Sequence, residues 1–364
     1  MKQAPCFLLL CIMLTSCNLR NESKTVLAEK KEYHAKCSPN GTELFSYAHD
    51  LNLMDDLILV TSHRDTICRV FSIEDNFAFV TSYGRTGQGP REFIQPLKTH
   101  HYNNEFALND VNKDQLTILA IDPNLDEIKI KELKQLKVDK QAANNKEMLQ
   151  HEVYISRLDK KHYVSLCRGA NGRFFSLRDS ALRLCNFFGA SPIGEIHDKD
   201  SGIGVSGKLF GKLATNGNGS MCFAAFNLPY LSCYTLENEM MRERCSFYFD
   251  TTSFDIRNGN LLFSKDKAKG RTLDLKIDDL YIYILYSNRL LSEESTSLIE
   301  TSMANNIHIF DYDGNAVASI KLDNYISSFD ISHSKKKLFA IAYMPEQTLV
   351  EFDLPAEFWK VLSL

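Results

Sequence analysis

One β-hairpin pattern recurs six times along this chain of 364 residues. Each copy has an apolar run, a Ser, Thr or Asp, a polar turn and then a second apolar run. Two β-rich runs joined by turn-forming residues predict a hairpin. The copies are RVFSIEDNFAFVTSYG, TILAIDPNLDEIKIKEL, RFFSLRDSALRLCNFF, SCYTLENEMMRERCSF, IHIFDYDGNAVASIKL and LVEFDLPAEFWKVLSL. Their polar anchors are Ser72, Asp122, Ser176, Thr235, Asp311 and Asp353, spaced 42 to 76 residues apart.

Further apolar runs precede each hairpin and complete a larger repeating unit. The run directly before each hairpin reads DLILVTS, EFALND, HYVSLC, MCFAAF, LYIYILY or KLFAIAY. A weaker run, such as HEVYIS or ISSFDIS, stands before most of these. The pattern therefore predicts four antiparallel strands per unit in an all-β chain without a long helix. Four-stranded units at this period are typical of a β-propeller, here with six blades, whose ring leaves only short, protected sheet edges.

The N-terminus has the features of an export signal. Lys2 precedes the apolar segment 4–14, which is too short to span a bilayer but fits the core of a signal peptide. The sequence Leu-Thr-Ser-Cys follows and resembles a bacterial lipobox ending at Cys17. We therefore expect residues 1–16 to be removed and Cys17 to be lipidated, with several acyl chains giving a stable anchor. An ordinary signal peptide with an incidental cysteine is the alternative.

The segment after Cys17 is polar and predicts a tether to the membrane over residues 17–40, ahead of a propeller over 41–364. The formal net charge of -4 argues against a nucleic-acid partner, which would require a basic surface. Beyond residue 17 there are seven cysteines without a CxxC pair, which indicates neither a disulfide framework nor zinc. Most are expected to be buried, although Cys222 and Cys233 could bridge.

A known family combines these features. The lipobox, the six repeats and the segment GQGPREF at residues 87–93, read as GxGPxEF, together resemble the TolB-like six-bladed β-propeller lipoproteins. The resemblance covers roughly residues 40–364. It implies a propeller fold outside the cytoplasm, hence a place in the bacterial cell envelope, and for most members no established activity. The side of the membrane on which the domain lies is left open.

Long connections are predicted to gather on one face of the propeller. Antiparallel strands place the links between blades and the turns between second and third strands at the same end. The segments 84–97, 133–150, 189–207, 250–270 and 287–305 all fall at that end, which we call the long-loop face. Long loops on a rigid scaffold often carry binding residues. The candidate ligand-binding residues there are His63, Arg64, Arg85, Arg91 and Arg168, which could hold an anionic ligand. The alternative for each is a solvated or locally paired side chain.

Motifs for chemistry are mostly missing. The glycine-rich stretch GRTGQGPREF at residues 84–93 lacks the Walker pattern and has no helix after it, so it is not predicted to cradle phosphate. We predict no metal, no cofactor and no catalytic constellation. The sequence therefore favours a non-enzymatic binding or scaffold module for a protein, peptide or glycan. The alternative is an envelope hydrolase or lyase acting on sugars or lactones, with acids such as Glu195 and Asp198 converging at the channel mouth.

Overall fold

A computed structural model describes most of the chain. The described residues are 31–44, 48–98, 104–122, 128–138, 153–170, 173–190, 210–250, 254–257, 260–264, 270–290, 302–343 and 346–362. The predicted signal peptide 1–16 and Cys17 lie outside these residues. So do the candidate acids Glu195 and Asp198. No helix within the described residues is long and apolar enough to cross a membrane.

The described part of the chain is almost entirely β-structure. Its strands in chain order are β1 (Glu32–Glu43), β2 (Ala48–Met54), β3 (Leu57–Ser62), β4 (Thr66–Ser72), β5 (Ala78–Thr86), β6 (Glu92–Phe93), β7 (Pro96–Lys98), β8 (Glu105–Asp110), β9 (Gln115–Asp122), β10 (Lys129–Lys137), β11 (Val153–Arg157), β12 (His162–Ala170), β13 (Arg173–Asp179), β14 (Leu184–Ala190), β15 (Gly211–Thr215), β16 (Ser220–Ala225), β17 (Tyr230–Glu237), β18 (Met240–Tyr248), β19 (Phe254–Arg257), β20 (Asn260–Phe263), β21 (Thr272–Ile277), β22 (Tyr281–Tyr286), β23 (Ala304–Asp311), β24 (Ala316–Ser332), β25 (Lys337–Tyr343) and β26 (Gln347–Asp353). One helix, α1 (Ala356–Leu362), follows them.

These strands form six four-stranded antiparallel blades, which confirms the predicted fold class. Blades 1 to 4 are β2–β5, β7–β10, β11–β14 and β15–β18. Blade 5 consists of β21, β22, β23 and the first half of β24, and blade 6 begins with the second half of β24, followed by β25 and β26. The hairpin β19–β20 lies between blades 4 and 5 and accounts for part of the wide spacing in the fifth repeat. The first strand of each blade faces the axis, where most neighbouring first strands contact one another.

The last blade differs from its prediction. The final hairpin was expected to supply a fourth strand from AEFWKVLSL, but residues 356–362 form α1 instead. Pro355 has no amide proton for a strand ladder, and Phe358, Trp359 and Leu362 form one buried helical face. The fourth strand is β1, which pairs antiparallel with β26 and closes the ring. The propeller therefore begins near residue 32, earlier than the predicted boundary at residue 41.

The blades pack through aromatic side chains. Between blades 3 and 4, the ring of Phe175 lies 5.3 Å from Phe223 and 5.5 Å from Tyr234, both edge to face. Edge-to-face rings at this separation are mutually attractive beyond the apolar area that they bury. Strands in the middle of a blade are covered on both faces, so β22 (YIYILY) is buried throughout. The outermost strand β10 is mostly exposed and charged, so each blade becomes more polar away from the axis.

Three cysteines form a row across blade 4. Cys222, Cys233 and Cys245 are register partners on β16, β17 and β18, and the first two are fully buried. The Sγ atoms of Cys222 and Cys233 are 2.6 Å apart. Leu236 of β17 donates to the carbonyl of Gly219, which directly precedes β16 and continues the same register. Because hydrogen-bonded and non-hydrogen-bonded pairs alternate, Cys222 and Cys233 form a non-hydrogen-bonded pair, in which the backbones approach most closely.

Candidate functional site

A cavity of about 170 Å³ lies on the propeller axis. Its walls come from the first strands of blades 1 to 5, and its lining includes His49, Asp50, His63, Tyr154, Lys212, Asp274 and Lys276. His49 and Lys212 stand near the beginnings of β2 and β15, where the chain arrives from the links between blades. The cavity therefore opens toward the long-loop face. Several charged side chains converge in this cavity, so they mark the axis as a candidate site.

Lys276 is the centre of a buried polar network in this cavity. Its Nζ lies 2.8 Å from Asp50 Oδ1 and 3.5 Å from Asp274 Oδ2, and it donates to the Leu51 carbonyl at 2.7 Å. Ser328 Oγ donates to Asp274 Oδ2 at 2.6 Å. Burial acts to lower the pKa of Lys276, but the carboxylates of Asp274 and Asp50 outweigh it and raise that pKa. The network links the first strands of blades 1, 5 and 6.

Lys212 is a second cation in the cavity, and its surroundings differ. It is partly exposed to the cavity. Burial would lower its pKa, but the field of Asp274, Tyr154 and Asp50 raises it, so the ammonium stays charged at neutral pH. Among the described residues, no acceptor lies within hydrogen-bond or ion-pair distance of Lys212 Nζ. Its charge is therefore available to a ligand.

Local backbone geometry directs Tyr154 at the same cavity. The residue has a φ of 56° and sits where the register between β11 and β12 shifts. A non-glycine residue in the left-handed region is strained and is found most often where a bulge turns a side chain toward a site. The tyrosine lines both the axial cavity and the space above it. Its hydroxyl group adds a hydrogen-bond donor and acceptor beside the lysine.

Two histidines stack on one side of the cavity. The rings of His49 and His63 are 3.6 Å apart between centroids and 9° from parallel. Burial lowers the pKa of His63, a hydrogen bond to the Pro96 backbone partly offsets this, and the Lys212 charge lowers it further. His63 is therefore neutral at pH 7, and its ring contributes hydrogen-bonding capacity without charge.

A wider vestibule of about 540 Å³ adjoins the cavity and shares His49, Tyr154 and Lys212 with it. Its other walls are largely apolar and include Phe210, Phe226, Leu273 and Met303. Arg271 lies over the Phe226 ring, with its guanidinium carbon 5.6 Å from the ring centroid. The site as a whole thus has a polar inner end and an apolar outer part.

The residues proposed from sequence are distributed over several places. His63 lines the axial cavity. Arg64 is exposed in the turn between β3 and β4, and Arg91 is exposed with a φ of 57°. Arg85 lies on the outermost strand of blade 1 and forms an ion pair with Glu92 at 2.8 Å. Arg168 belongs to β12, and its side chain is outside the described part of the chain.

The glycine-rich stretch 84–93 holds an anion supplied by the chain itself. Glu92 accepts hydrogen bonds from the Gly89 amide at 2.7 Å and from Arg85 Nε at 2.8 Å. The Gly89 amide, together with Arg85, lowers the pKa of the Glu92 carboxyl group despite partial desolvation. Gly84 has a φ of 71°, and a Cβ there would lie 2.8 Å from the buried Phe93 ring. The loop therefore serves as a crossing between blades. The Glu92 carboxylate already occupies the Gly89 amide and the Arg85 side chain, which are the donors that an external anion would need.

Sequence reasoning missed the lysines on the axis. Lys212 and Lys276 lie in the short segments ahead of the predicted runs MCFAAF and LYIYILY, where a single charge resembles the polar face of an ordinary strand. The available signal was their position in the first strand of a blade, which faces the axis of a propeller. In the described part of the chain, no group of three or more histidine, cysteine or acidic side chains is arranged to hold a metal ion.

Six four-stranded blades, a ring closed by an N-terminal strand and an axial cavity define a six-bladed β-propeller. Residues 213–334 match the family described as TolB-like 6-blade propeller-like, which confirms the resemblance drawn from the sequence. These residues span blade 4, blade 5 and the first strand of blade 6. No curated protein is significantly similar to this chain.

Solved structures agree with the fold. A Bacteroides fragilis protein described as exported is 12% identical, with a TM-score of 0.52 over 89% of this chain and 99% of that chain. The β-propeller domain of Myceliophteria thermophila Cps50 (Swd1) is 10% identical, with a TM-score of 0.47 over 86% of this chain and 99% of that chain. At 12% identity the likeness to the Bacteroides fragilis protein extends to the fold alone, and nothing is argued from the second structure.

Proposed function

We propose that this chain is a binding or scaffold module of the bacterial cell envelope, anchored to a membrane through lipid on Cys17. Its ligand is a protein, a peptide or a glycan, received at the long-loop face above the axial cavity. The observation that carries this proposal is the cavity itself, which opens on that face and contains a charged lysine available to a ligand.

The arrangement of the acids supports binding over catalysis. Of the described residues that line the cavity, the two carboxylates are Asp50 and Asp274, and both are engaged with Lys276. A general base or acid needs a carboxyl group whose proton can be exchanged with a substrate. Carboxylates that neutralise a buried lysine serve the structure of the channel instead. The exported Bacteroides fragilis relative in fold and the lipobox-like sequence both favour a location outside the cytoplasm.

The binding proposal is tested by capture from native membranes. The full-length protein with an affinity tag is cross-linked in cells, purified, and compared with the variant H63A/R64A on the long-loop face. Matched control variants are K335A and K336A, in the turn between β24 and β25 on the opposite face. We expect a specific partner to be lost only from the long-loop variant. Equal capture by H63A/R64A and by the control variants, or capture of no partner by the wild type, would refute the proposal.

The anchor is tested separately. The variant C17S should lose incorporated fatty acid and move from the membrane fraction to the soluble fraction. The control C37S should remain lipidated, because Cys37 lies within β1 of the folded propeller. Retention of acyl label by C17S would refute lipidation at Cys17, whereas membrane retention without acyl label would show that an uncleaved signal peptide holds the protein.

A further inference from the structure

We propose that the axial cavity and its vestibule bind a small amphipathic monocarboxylate, with the carboxylate on Lys212 Nζ and the apolar body in the vestibule. The inference rests on the proposed binding function and specifies the chemistry of its central site. The group bound at Lys212 is the same whether it belongs to a free organic acid or to the C-terminus of a peptide.

The contrast between two lysines identifies the point of attachment. Lys276 already contacts Asp50, Asp274 and the Leu51 carbonyl. Lys212 lines the same cavity and has no such partner among the described residues. A charged ammonium in a sheltered cavity gains from a charge-assisted hydrogen bond, which is roughly twice as strong as a neutral one. Lys212 is therefore the group that a carboxylate would approach.

The charges around the site favour a ligand with a single negative charge. In the described lining of the axial cavity, Asp50 and Asp274 already compensate the charge of Lys276, which leaves Lys212 as the cation without an ion-pair partner. The stacked histidine His63 adds no charge at neutral pH. A monocarboxylate pairs with the Lys212 ammonium, whereas a ligand with several negative charges would also meet the two buried aspartates.

The sizes of the two spaces indicate a ligand with a small polar head and a larger apolar body. Sites for drug-sized ligands usually measure about 300–1,000 Å³. The axial cavity of about 170 Å³ is below that range and accommodates a polar head only. The vestibule of about 540 Å³ falls within it. Burying apolar ligand surface there is favourable, at about 25 cal/mol for each Å² removed from water.

The vestibule offers apolar and aromatic surface directly above the lysine. Phe226, Leu273 and Met303 stand at its walls, together with Phe210, which is partly exposed to solvent. Tyr154 and Lys212 belong to both spaces, so a ligand on Lys212 continues into the apolar part without crossing a polar barrier. A neutral sugar would leave the Lys212 charge unpaired, and a purely apolar molecule would leave the inner cavity unfilled.

The test uses 4-(4-fluorophenyl)butyrate as the probe and ¹⁹F NMR as the readout, with the full-length protein in lipid nanodiscs. We expect saturable binding to the wild type and at least tenfold weaker binding to the variant K212M. The corresponding amide, which keeps the body and removes the charge, should also bind at least tenfold more weakly. The variant K212R should retain most of the affinity, which shows that the lost group is the charge and that the fold is intact.

Controls separate the site from general partitioning. K335M removes a lysine from the opposite face and should bind the probe as the wild type does. Empty nanodiscs give the contribution of the lipid. Equal binding of acid and amide, or of wild type and K212M, would overturn the inference. Absence of saturable wild-type binding at millimolar probe would overturn it as well.

Two further arms decide the source of the carboxylate and the relation to the proposed function. N-acetyl-Leu-Phe with a free C-terminus is compared with its amide, and tighter binding than the aryl acid indicates a peptide terminus. If capture by the long-loop face succeeds and the probe does not bind, this inference fails and the proposed function stands. If the probe binds through Lys212 and no partner is captured, the proposed function fails and the carboxylate site stands.

Discussion

Replacing Lys276 by Met should destabilise the closed ring of blades. The side chain of Lys276 is 8% exposed, and its Nζ lies 2.8 Å from Asp50 Oδ1. The unbranched methionine fills a similar volume but leaves two buried carboxylates without their cation. Removing one partner of a buried ion pair costs about 3–5 kcal/mol, mostly because the remaining charge has no compensation.

The corresponding change in melting temperature follows from the size of the domain. An unfolding entropy of about 2.1 cal/mol/K per residue gives about 0.7 kcal/mol/K for a propeller of this length. A loss of 3–5 kcal/mol therefore lowers the melting temperature by about 4–7 °C. Differential scanning calorimetry of the full-length protein measures this shift, and near-UV circular dichroism confirms that the variant is folded.

A matched control joins two of these blades at the opposite face. Lys335 Nζ lies 2.6 Å from Asp56 Oδ1, and this pair connects blade 6 to blade 1 near the surface. Exposed pairs contribute about 0–1 kcal/mol, so K335M should change the melting temperature by less than about 2 °C. The double variant K276M/D50N should recover part of the loss, because one of the two uncompensated charges is gone. A K276M melting temperature equal to that of K335M would refute the role assigned to the network.

Three further predictions concern other parts of the fold. Burial lowers the pKa of His308 to about 4. Between pH 6.5, about the ordinary pKa of histidine, and pH 4, this side chain therefore gains a proton in the unfolded chain but not in the folded protein. The contribution of His308 should therefore lower the free energy of unfolding by about 2–3 kcal/mol from pH 7 to pH 4.5. Denaturant titrations of H308Q should show a smaller fall in this free energy than the wild type, and an equal fall contradicts the assignment. The variant E92Q removes the negative charge that holds the loop 84–93 together, so trypsin should cleave after Arg91 faster than in the wild type. Digests followed by mass spectrometry measure this rate, and an unchanged rate contradicts the prediction. Oxidised glutathione should link Cys222 to Cys233 during refolding, with each disulfide formed at the expense of one glutathione disulfide; complete alkylation of both thiols without reductant would exclude the bond.

The repeat pattern predicted the blades well because hairpins are local. The alternation of apolar and polar residues around a short turn is complete within about fifteen residues, as in the segment 69–84 that became β4 and β5. Ring closure depends on contacts without such a local signature. Thr42 pairs with Leu349 across almost the whole chain, and the helix signal in AEFWKVL was hidden by residues that also favour strands. The expected fourth strand of blade 6 was therefore assigned to the wrong end of the sequence.

The candidate site was predicted in part. His63 was found because it follows a strand at the long-loop face, and turns at that face converge above the axis. The arginines drew attention because they are conspicuous in loops, yet Arg85 pairs with Glu92 on the outermost strand. Lys212 escaped notice because a charge at the beginning of a first strand has the same local sequence whether it faces water or the axis. Only the curvature of the assembled ring decides between these two environments.

The same network that closes the ring also prepares the site for an anion. Asp274 accepts hydrogen bonds from the Leu275 amide at 2.9 Å and from the Ser328 hydroxyl at 2.6 Å, and it lies beside Lys276. A carboxylate held in this way cannot swing across the cavity to pair with Lys212. It still contributes a field that keeps Lys212 protonated. The fixed carboxylates thus keep Lys212 protonated without forming an ion pair with it. A mutation that frees Asp274 should therefore weaken ligand binding even if Lys212 itself is unchanged.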